Sequence, residues 1–356
     1  MTAWTLAVAR DDLARTVLVE GPVPDLAGGE ALLRVDRVGM TANNVTYAVL
    51  GESMRYWEFF PHRDPGSGPG LGLVPLWGFA EVAASTVPGV EAGQRVYGYL
   101  PPASHLVVRP VRIDGSGFRD GAGHRAALPS PYNAYRLTTG DPVYRADQED
   151  LLVLFRPLFF TSFMLADQLL DNDCHGAAAV LLSSASSKTA YAAAFELRGR
   201  GPRVIGLTSP GNVAFTESLG CYDQVVSYDD IATLDAVPAV YLDLSGSPAT
   251  RAAVRAHFGD RLVRDVAVGL TAQIPNADAA GQVFFAPDQM RKRTADWGRE
   301  GLDRRFAEAW RRFAAAAAGW VDVETGEGPE ALRAAWLDVL AGRAAPRSGR
   351  IVRLLT

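Results

Sequence analysis

The sequence predicts an α/β protein in two parts: a small, partly open β-barrel and a parallel sheet covered by helices on both faces. Three observations carry this. Short β-branched or alternating runs, punctuated by Gly and Pro, fill the chain to about residue 110. From about Leu158 onward, strand-like and helix-like segments alternate. Those later strands are almost continuously apolar, as strands buried on both faces must be.

In order, Thr16–Glu20, Ala31–Gly39, Gly78–Thr86 and Arg95–Leu100 read as barrel strands, separated by turns such as GPVPDLAGG, DPGSGPGLG and VPGVEAGQ. Arg109 to Arg156, rich in Gly, Pro and Tyr without clear periodicity, reads as an irregular insertion lining a cleft. A helix is expected over PLFFTSFMLADQLLDN, then a strand at AAAVLLSS, a helix at KTAYAAAFELRGRG and a strand at RVIGLTS. The next helix begins near Gly211. PAVYLDLSG, RLVRDVAVGLT and GQVFFAPD read as further strands, with the helix SPATRAAVRAHFG between the first two and LDRRFAEAWRRFAAAAAGW after the last. The tail ends in a helix and a strand expected to return to the first domain. The predicted domains are residues 1–155 together with 319–356, and residues 156–318.

The chain has 356 residues, of which 48% are hydrophobic and 21% charged, an ordinary globular balance. A formal net charge of −5 leaves no excess of cations to neutralise a nucleic-acid backbone. Two cysteines, Cys174 and Cys221, provide neither a disulfide framework nor a four-cysteine zinc site and suit a reducing compartment. Asp11 and Asp12 follow the first apolar run, unlike a secretory signal, and no stretch approaches the roughly 18 apolar residues of a membrane span. A soluble, cytoplasmic protein is expected.

The stretch AVLLSSASSKTAYAAAF, Ala179 to Phe195, admits three readings. Lys188-Thr189 resembles the end of a triphosphate-binding loop, but Leu182 and Ser187 stand where that loop needs glycines. A strand, a tight turn and a helix also open a dinucleotide-binding unit, with a helix N-terminus offered to a pyrophosphate. Here Ser183, Ser184, Ser186 and Ser187 replace the usual glycines, Lys188 and Thr189 follow, and Ala190 keeps the small residue that close packing requires. The third reading is plain serine capping of a helix. The second strand ends in Thr208, Ser209 and Asn212 rather than an acid, which favours NADP(H) over NAD(H) as cofactor.

Spread over nearly the whole chain, several segments resemble the medium-chain dehydrogenase/reductase superfamily, on its quinone oxidoreductase and enoyl reductase side. They are ALLRVDRVGMTANNVTYAVLG, GFAEVAASTVPGVEAGQRVYGYLP, ESLGCYDQVVSYDD, VYLDLSG and ALRAAWLDVLAGRAAPRSGRIVRLL. The resemblance implies a GroES-like domain and a Rossmann-type doubly wound domain, in a divergent branch. It also implies NADP(H)-dependent reduction of a carbonyl or α,β-unsaturated carbonyl compound, and a homodimer built through an edge strand such as QVFFAPD. Zinc-dependent members carry a Cys and a His-Glu where this chain has Met40-Thr41 and Leu76-Trp77. His62, His105, His124, His175 and His257 lack ligand spacing, so no metal is expected.

Zinc-free chemistry needs a hydrogen-bond donor at the substrate carbonyl, and a neutral phenol suits that role. Tyr47 follows the Asn43-Asn44 pair, and Tyr56 follows Gly51, close to where related enoyl reductases carry an acid Tyr. Asn44 and Tyr132 complete the candidate catalytic set, and Trp57, Trp77, Asn133 and Arg136 the candidate substrate-binding set, for a small hydrophobic carbonyl compound. Arg291, Lys292 and Arg293 are candidates to approach a 2′-phosphate. Two alternatives stay open: a non-redox lyase or hydrolase of a β-dicarbonyl compound, and a catalytically silent binding protein.

Overall fold

The computed structural model describes residues 2–62, 70–268 and 282–354. The chain divides into two compact units, Met1–Leu154 with Val321–Thr356, and Phe155–Trp320.

In the first unit, β1 (Thr2–Ala9), β2 (Thr16–Pro22), β3 (Ala31–Met40), β4 (Leu71–Gly72), β5 (Leu76–Ser85), β6 (Arg95–Leu100) and β7 (His105–Val108) form the expected β-rich body. Helix α1 (Ala42–Val49) follows β3. The β1 strand lay unread in the sequence because its alternation is interrupted by Thr and Ala. Its main chain nonetheless pairs with β2 over seven residues, Thr2 to Val8.

The segment from Arg109 differs from the expected irregular insertion. It holds β8 (Pro110–Asp114), β9 (Gly117–Asp120) and β10 (Ala134–Leu137), and it ends in helix α2 (Glu149–Asp171), which starts eight residues before the sequence placed it. These strands have four or five residues each, too few to display an alternating pattern. They are nevertheless strands of the main sheet, whose order is β8-β9-β10-β6-β5-β3.

The second unit continues with β11 (Ala179–Leu182), α3 (Lys188–Leu197), β12 (Arg203–Thr208), α4 (Val213–Ser218), β13 (Gln224–Ser227), β14 (Ala239–Asp243), α5 (Pro248–Phe258), β15 (Leu262–Val268) and β16 (Gln282–Phe284). All pairings are parallel, in the order β13-β12-β11-β14-β15-β16, so the direction of winding reverses between β11 and β14. That is the doubly wound arrangement, whose ligand position lies at the carboxyl ends of the strands flanking the reversal. Residues 269–271 and Gly281, included in the predicted last two strands, lie outside the described residues. Helix α6 (Ala286–Ala317) absorbs RKRTADWGRE, which the sequence left as surface, and is broken by a kink at Gly298, where φ is +70°.

The tail supplies β17 (Asp322–Glu327), α7 (Gly328–Leu340) and β18 (Ser348–Arg353) to the first unit. There β18 runs antiparallel to β3, and β17 parallel to β18. Trp336 of α7 joins the apolar core of that unit with Leu33, Val35, Leu76 and Val82, and its indole N–H donates to the Leu13 carbonyl at 2.8 Å. No helix among the described residues is long and apolar enough to cross a membrane.

Candidate active site

In the first unit, α1, the short turn Tyr56–Glu58, β5, β6 and the turn Ser130–Asn133 bring five aromatic side chains together. The Tyr47 ring lies tilted 4.7 Å from Tyr56 and meets Tyr99 edge-on at 5.5 Å. Tyr99 lies 4.9 Å from both Tyr132 and Trp77. Phe59 and Phe60 close another side, at 5.3 and 5.9 Å from Tyr99.

Polar tips are enclosed within this apolar box. Trp77 Nε1 donates to Tyr47 Oη at 3.0 Å, and the Tyr56 and Tyr132 hydroxyls meet at 3.5 Å. Burial raises all four phenols above the ordinary value. For Tyr47 the neighbouring Tyr56 adds to the rise, while bonds from Trp77 and Asn43 oppose it. For Tyr132 the neighbours Tyr47 and Tyr56 add to it, and for Tyr99 so do Tyr47, Tyr132 and Tyr56. Tyr56 is raised mainly by burial. Every phenol of this box is therefore a proton donor at neutral pH, suited to a carbonyl oxygen on which negative charge develops.

Several predicted residues do other work. Asn44 Oδ1 accepts from the Thr41 amide at 2.8 Å, capping α1, and its Nδ2 donates to the Pro75 carbonyl at 2.9 Å. Trp57 is buried in the first unit's apolar core, in a cluster apart from these rings. A Cβ on Gly51 or Gly72 would fall 2.0 or 2.6 Å from its ring, so both positions need glycine for that close approach. Asn133 is buried and donates to the Arg125 carbonyl at 3.2 Å. Arg136 is half-buried on β10, opposite Tyr97 of β6.

Two residues unread in the sequence hold this wall. Arg125 and Asp120, both almost fully buried, pair at 3.3 Å, and Arg125 Nε also donates to the Phe59 carbonyl at 3.1 Å. The ring of Phe60 lies 4.5 Å from the Arg125 guanidinium. A lone Arg in the loop sequence GAGHRAA gives no signal of such burial; only its distant partners do.

In the second unit the four serines after β11 separate in role. Ser183 Oγ bonds Asp243 Oδ1 at 3.1 Å and accepts from the amides of Leu244 and Ser245, joining the ends of β11 and β14. Ser184 takes a left-handed φ of +52°, and its amide donates to Tyr228 Oη at 2.8 Å. Ser186 Oγ accepts from Asn212 Nδ2 at 3.2 Å, and the same nitrogen donates to Ser209 Oγ at 3.0 Å. Ser187 Oγ accepts from the Ala190 amide at 3.3 Å, so the capping reading applies to this serine alone.

Lys188 opens α3 with its ammonium near the Phe155 ring, 5.9 Å away, and burial lowers its pKa to about 8. The Thr189 carbonyl accepts from Ser162 Oγ of α2 at 2.7 Å. Thr208 is buried at the end of β12, paired with Ser227. Arg291, Lys292 and Arg293 are instead committed to carboxylates: Arg291 to Asp288, Lys292 to Asp171 and Asp296, and Arg293 to Asp167, Asp171 and Asp296. Among the described residues, no group of three His, Cys, Asp or Glu side chains is placed to hold a metal ion.

A β-rich unit followed in the chain by a six-stranded doubly wound sheet recurs in solved structures of other proteins. Solved structures with this fold include CurA from Vibrio vulnificus in complex with NADPH, 14% identical over 99% of both chains with a TM-score of 0.66. They also include a putative NADPH:quinone reductase from Mesorhizobium loti, 14% identical over 99% of this chain and 98% of that one, TM-score 0.63. The quinone oxidoreductase from Thermus thermophilus, solved also in complex with NADPH, is 18% identical over 99% of this chain and 100% of its own, TM-score 0.55. No curated protein matches the chain. By sequence the chain belongs to the family described as protein of unknown function (DUF2855), whose model matches residues 38–345.

Proposed function

We propose that the chain is a zinc-independent, NADP(H)-dependent oxidoreductase of a small carbonyl or α,β-unsaturated carbonyl compound. The second unit holds the cofactor and the first the substrate. The observation that carries this reading is the Ser186–Asn212–Ser209 network at the carboxyl ends of β11 and β12. Both serine hydroxyls accept from Asn212, which leaves their own protons for an outside acceptor such as a 2′-phosphate. The N-terminus of α3 adds positive potential after that turn, and Lys188, the first residue of the helix, brings a cation. The donor set of hydroxyls, amides and one ammonium fits a phosphorylated dinucleotide.

NADPH, if held by Ser186, Ser209, Asn212 and Lys188, would supply hydride-reducing chemistry. The chain's own part is in the phenol box. Tyr47, held by Trp77, donates to the substrate oxygen as charge accumulates there, and the Tyr56–Tyr132 pair delivers the balancing proton, which solvent then replaces. Trp77 and the surrounding rings bind the apolar body and exclude water. Asn44, Asn133 and Arg136 position the walls.

The NADPH complexes of the similar structures support the cofactor choice. Calorimetric titration of the purified protein with NADPH and NADH tests it. Micromolar NADPH binding, tighter than NADH, is expected, and no binding at millimolar cofactor would overturn the reading. One observation favours a second reading, a non-redox lyase or hydrolase of a β-dicarbonyl compound: the Ser184 amide is already satisfied by Tyr228 Oη. Product formation with no nicotinamide present would establish that alternative. We also propose a homodimer through β16, at the sheet edge with Val283 exposed, to be checked by light scattering.

A further inference from the structure

The Tyr99 side chain is fully buried, yet its hydroxyl has no hydrogen-bond partner among the described residues. A buried hydroxyl left unpaired is destabilising, so its persistence at the centre of a ring cluster asks for a ligand. Its main chain is firmly placed. The Tyr135 hydroxyl donates to the Tyr99 carbonyl at 2.8 Å and itself receives Arg125 Nη1 at 3.4 Å. The backbone is thus braced by the buried Arg125–Asp120 pair while the hydroxyl stays unspent.

Its surroundings define what would fit. Tyr47, Trp77, Phe59, Phe60 and Tyr132 pack around the Tyr99 ring at centroid distances of 4.9 to 5.9 Å. Ionisation of Tyr47, Tyr132 or Tyr56 would each raise the Tyr99 pKa, which places these hydroxyls within electrostatic reach of one another. Tyr47 Oη already accepts the indole N–H, and its own proton can still be donated. Tyr132 is half-buried on a short turn, and its hydroxyl meets that of Tyr56 at 3.5 Å.

We infer that Tyr99 is a further oxyanion-binding residue, acting with Tyr47 to hold one oxygen of the substrate as it becomes an enolate or phenolate. The ligand chemistry this selects is a planar apolar body carrying a single oxygen that turns anionic. Neutral phenols are effective donors to such an oxygen because they lose no charge solvation on forming the bond. The inference rests on the reading of the first unit as the substrate side, and not on the cofactor.

The test is titration of the full chain, without nicotinamide, with 4-nitrophenol across pH 5 to 9, read by the phenolate absorbance. The wild type is expected to bind the phenolate form preferentially, lowering the probe's apparent pKa on binding. Tyr99→Phe is expected to weaken phenolate binding at least tenfold while leaving 4-nitrotoluene affinity unchanged. Because the hydroxyl has no partner among the described residues, Tyr99→Phe should keep or raise the melting temperature. Unchanged nitrophenol affinity in Tyr99→Phe, or no binding by the wild type, overturns the inference. A marked fall in melting temperature also overturns it, by revealing a structural partner. Nitrophenolate binding through Tyr99 in a chain that binds no nicotinamide would sink the proposed oxidoreductase and leave this inference standing; NADPH binding with a silent Tyr99→Phe would do the reverse.

Discussion

Asn212 donates to Ser186 across 3.2 Å, tying the turn after β12 to the turn after β11. The same amide nitrogen holds Ser209, so its removal frees both hydroxyls to rotate. Asn212→Ala is therefore expected to weaken NADPH binding about tenfold, the worth of roughly 1.4 kcal/mol in charge-assisted hydrogen bonding. NADH, lacking the 2′-phosphate, should lose little. Calorimetry on both cofactors checks this, and an equal loss for the two would place the network elsewhere than at the 2′-phosphate.

Lys188 gives the site a pH signature. Burial lowers its pKa from 10.5 to about 8, so between those values the unfolded chain carries a proton that the folded chain does not. Apo-protein stability is then expected to rise as pH increases from about 8 toward 10.5, the burial penalty being fully present below 8. Cofactor affinity should move the opposite way, falling above about pH 8 as the ammonium is lost. Lys188→Met should abolish both trends. Denaturant melts and cofactor titrations from about pH 6.5 to 10 provide the measurement.

What the sequence disclosed and what it hid follow from the range of the interactions. Strands β2, β3, β5, β6, β11, β12, β14 and β15 are legible because apolar runs of β-branched residues are local signals. Short strands β8 to β10 are not, since Gly117 and Tyr135 become strand residues only through their pairing with other strands. The same holds at the site. Tyr47, Tyr56, Tyr132 and Trp77 stand out as aromatic types near suggestive motifs, and they do meet. Tyr99 looks like any barrel residue, and Trp57 resembles Trp77 until its packing against Gly51 and Gly72 is seen. Ser183 and Ser186 are alike in sequence, and only Asp243 and Asn212, 60 and 26 residues away, separate their roles.

The two tryptophans make that contrast measurable. Trp57→Ala should cost about 3–5 kcal/mol of stability through the cavity left in the core, with unchanged turnover per folded molecule. Trp77→Phe keeps an aromatic ring in the wall but removes the donor to Tyr47 Oη, so it should cost little stability and chiefly lower kcat. Chemical denaturation and steady-state kinetics on the same preparations separate the two. A KM defect confined to Trp57→Ala would return that residue to the substrate wall.

Tyr47→Phe tests the donor itself. The Trp77 indole N–H, 3.0 Å from the lost oxygen, would be stranded, for a stability cost of about 1 kcal/mol. Loss of a proton donor in the transition state is expected to lower kcat by about 10² with KM little altered. A variant with full kcat on every reducible carbonyl would remove Tyr47 from the chemistry and leave it as packing.

The Asp120–Arg125 pair carries the last expectation, because both partners are nearly inaccessible and unpairing one strands the other. Asp120 also accepts from the amides of Arg109 at 3.1 Å and Ala122 at 3.0 Å, so it fixes the loop as well as the guanidinium. Asp120→Asn keeps the shape but removes the charge, leaving Arg125 buried without this counter-ion; a loss of about 3–5 kcal/mol is expected. Adding Arg125→Met should restore part of that loss, since an apolar side chain can fill the space against Phe59 and Phe60 without any charge to neutralise. The recovery would come with weaker hold on Tyr135, and hence on the strand bearing Tyr99. A double variant that is stable yet binds 4-nitrophenolate less tightly is the expected result. A double variant no more stable than Asp120→Asn alone would mean that the two amide bonds, and not the ion pair, give Asp120 its importance.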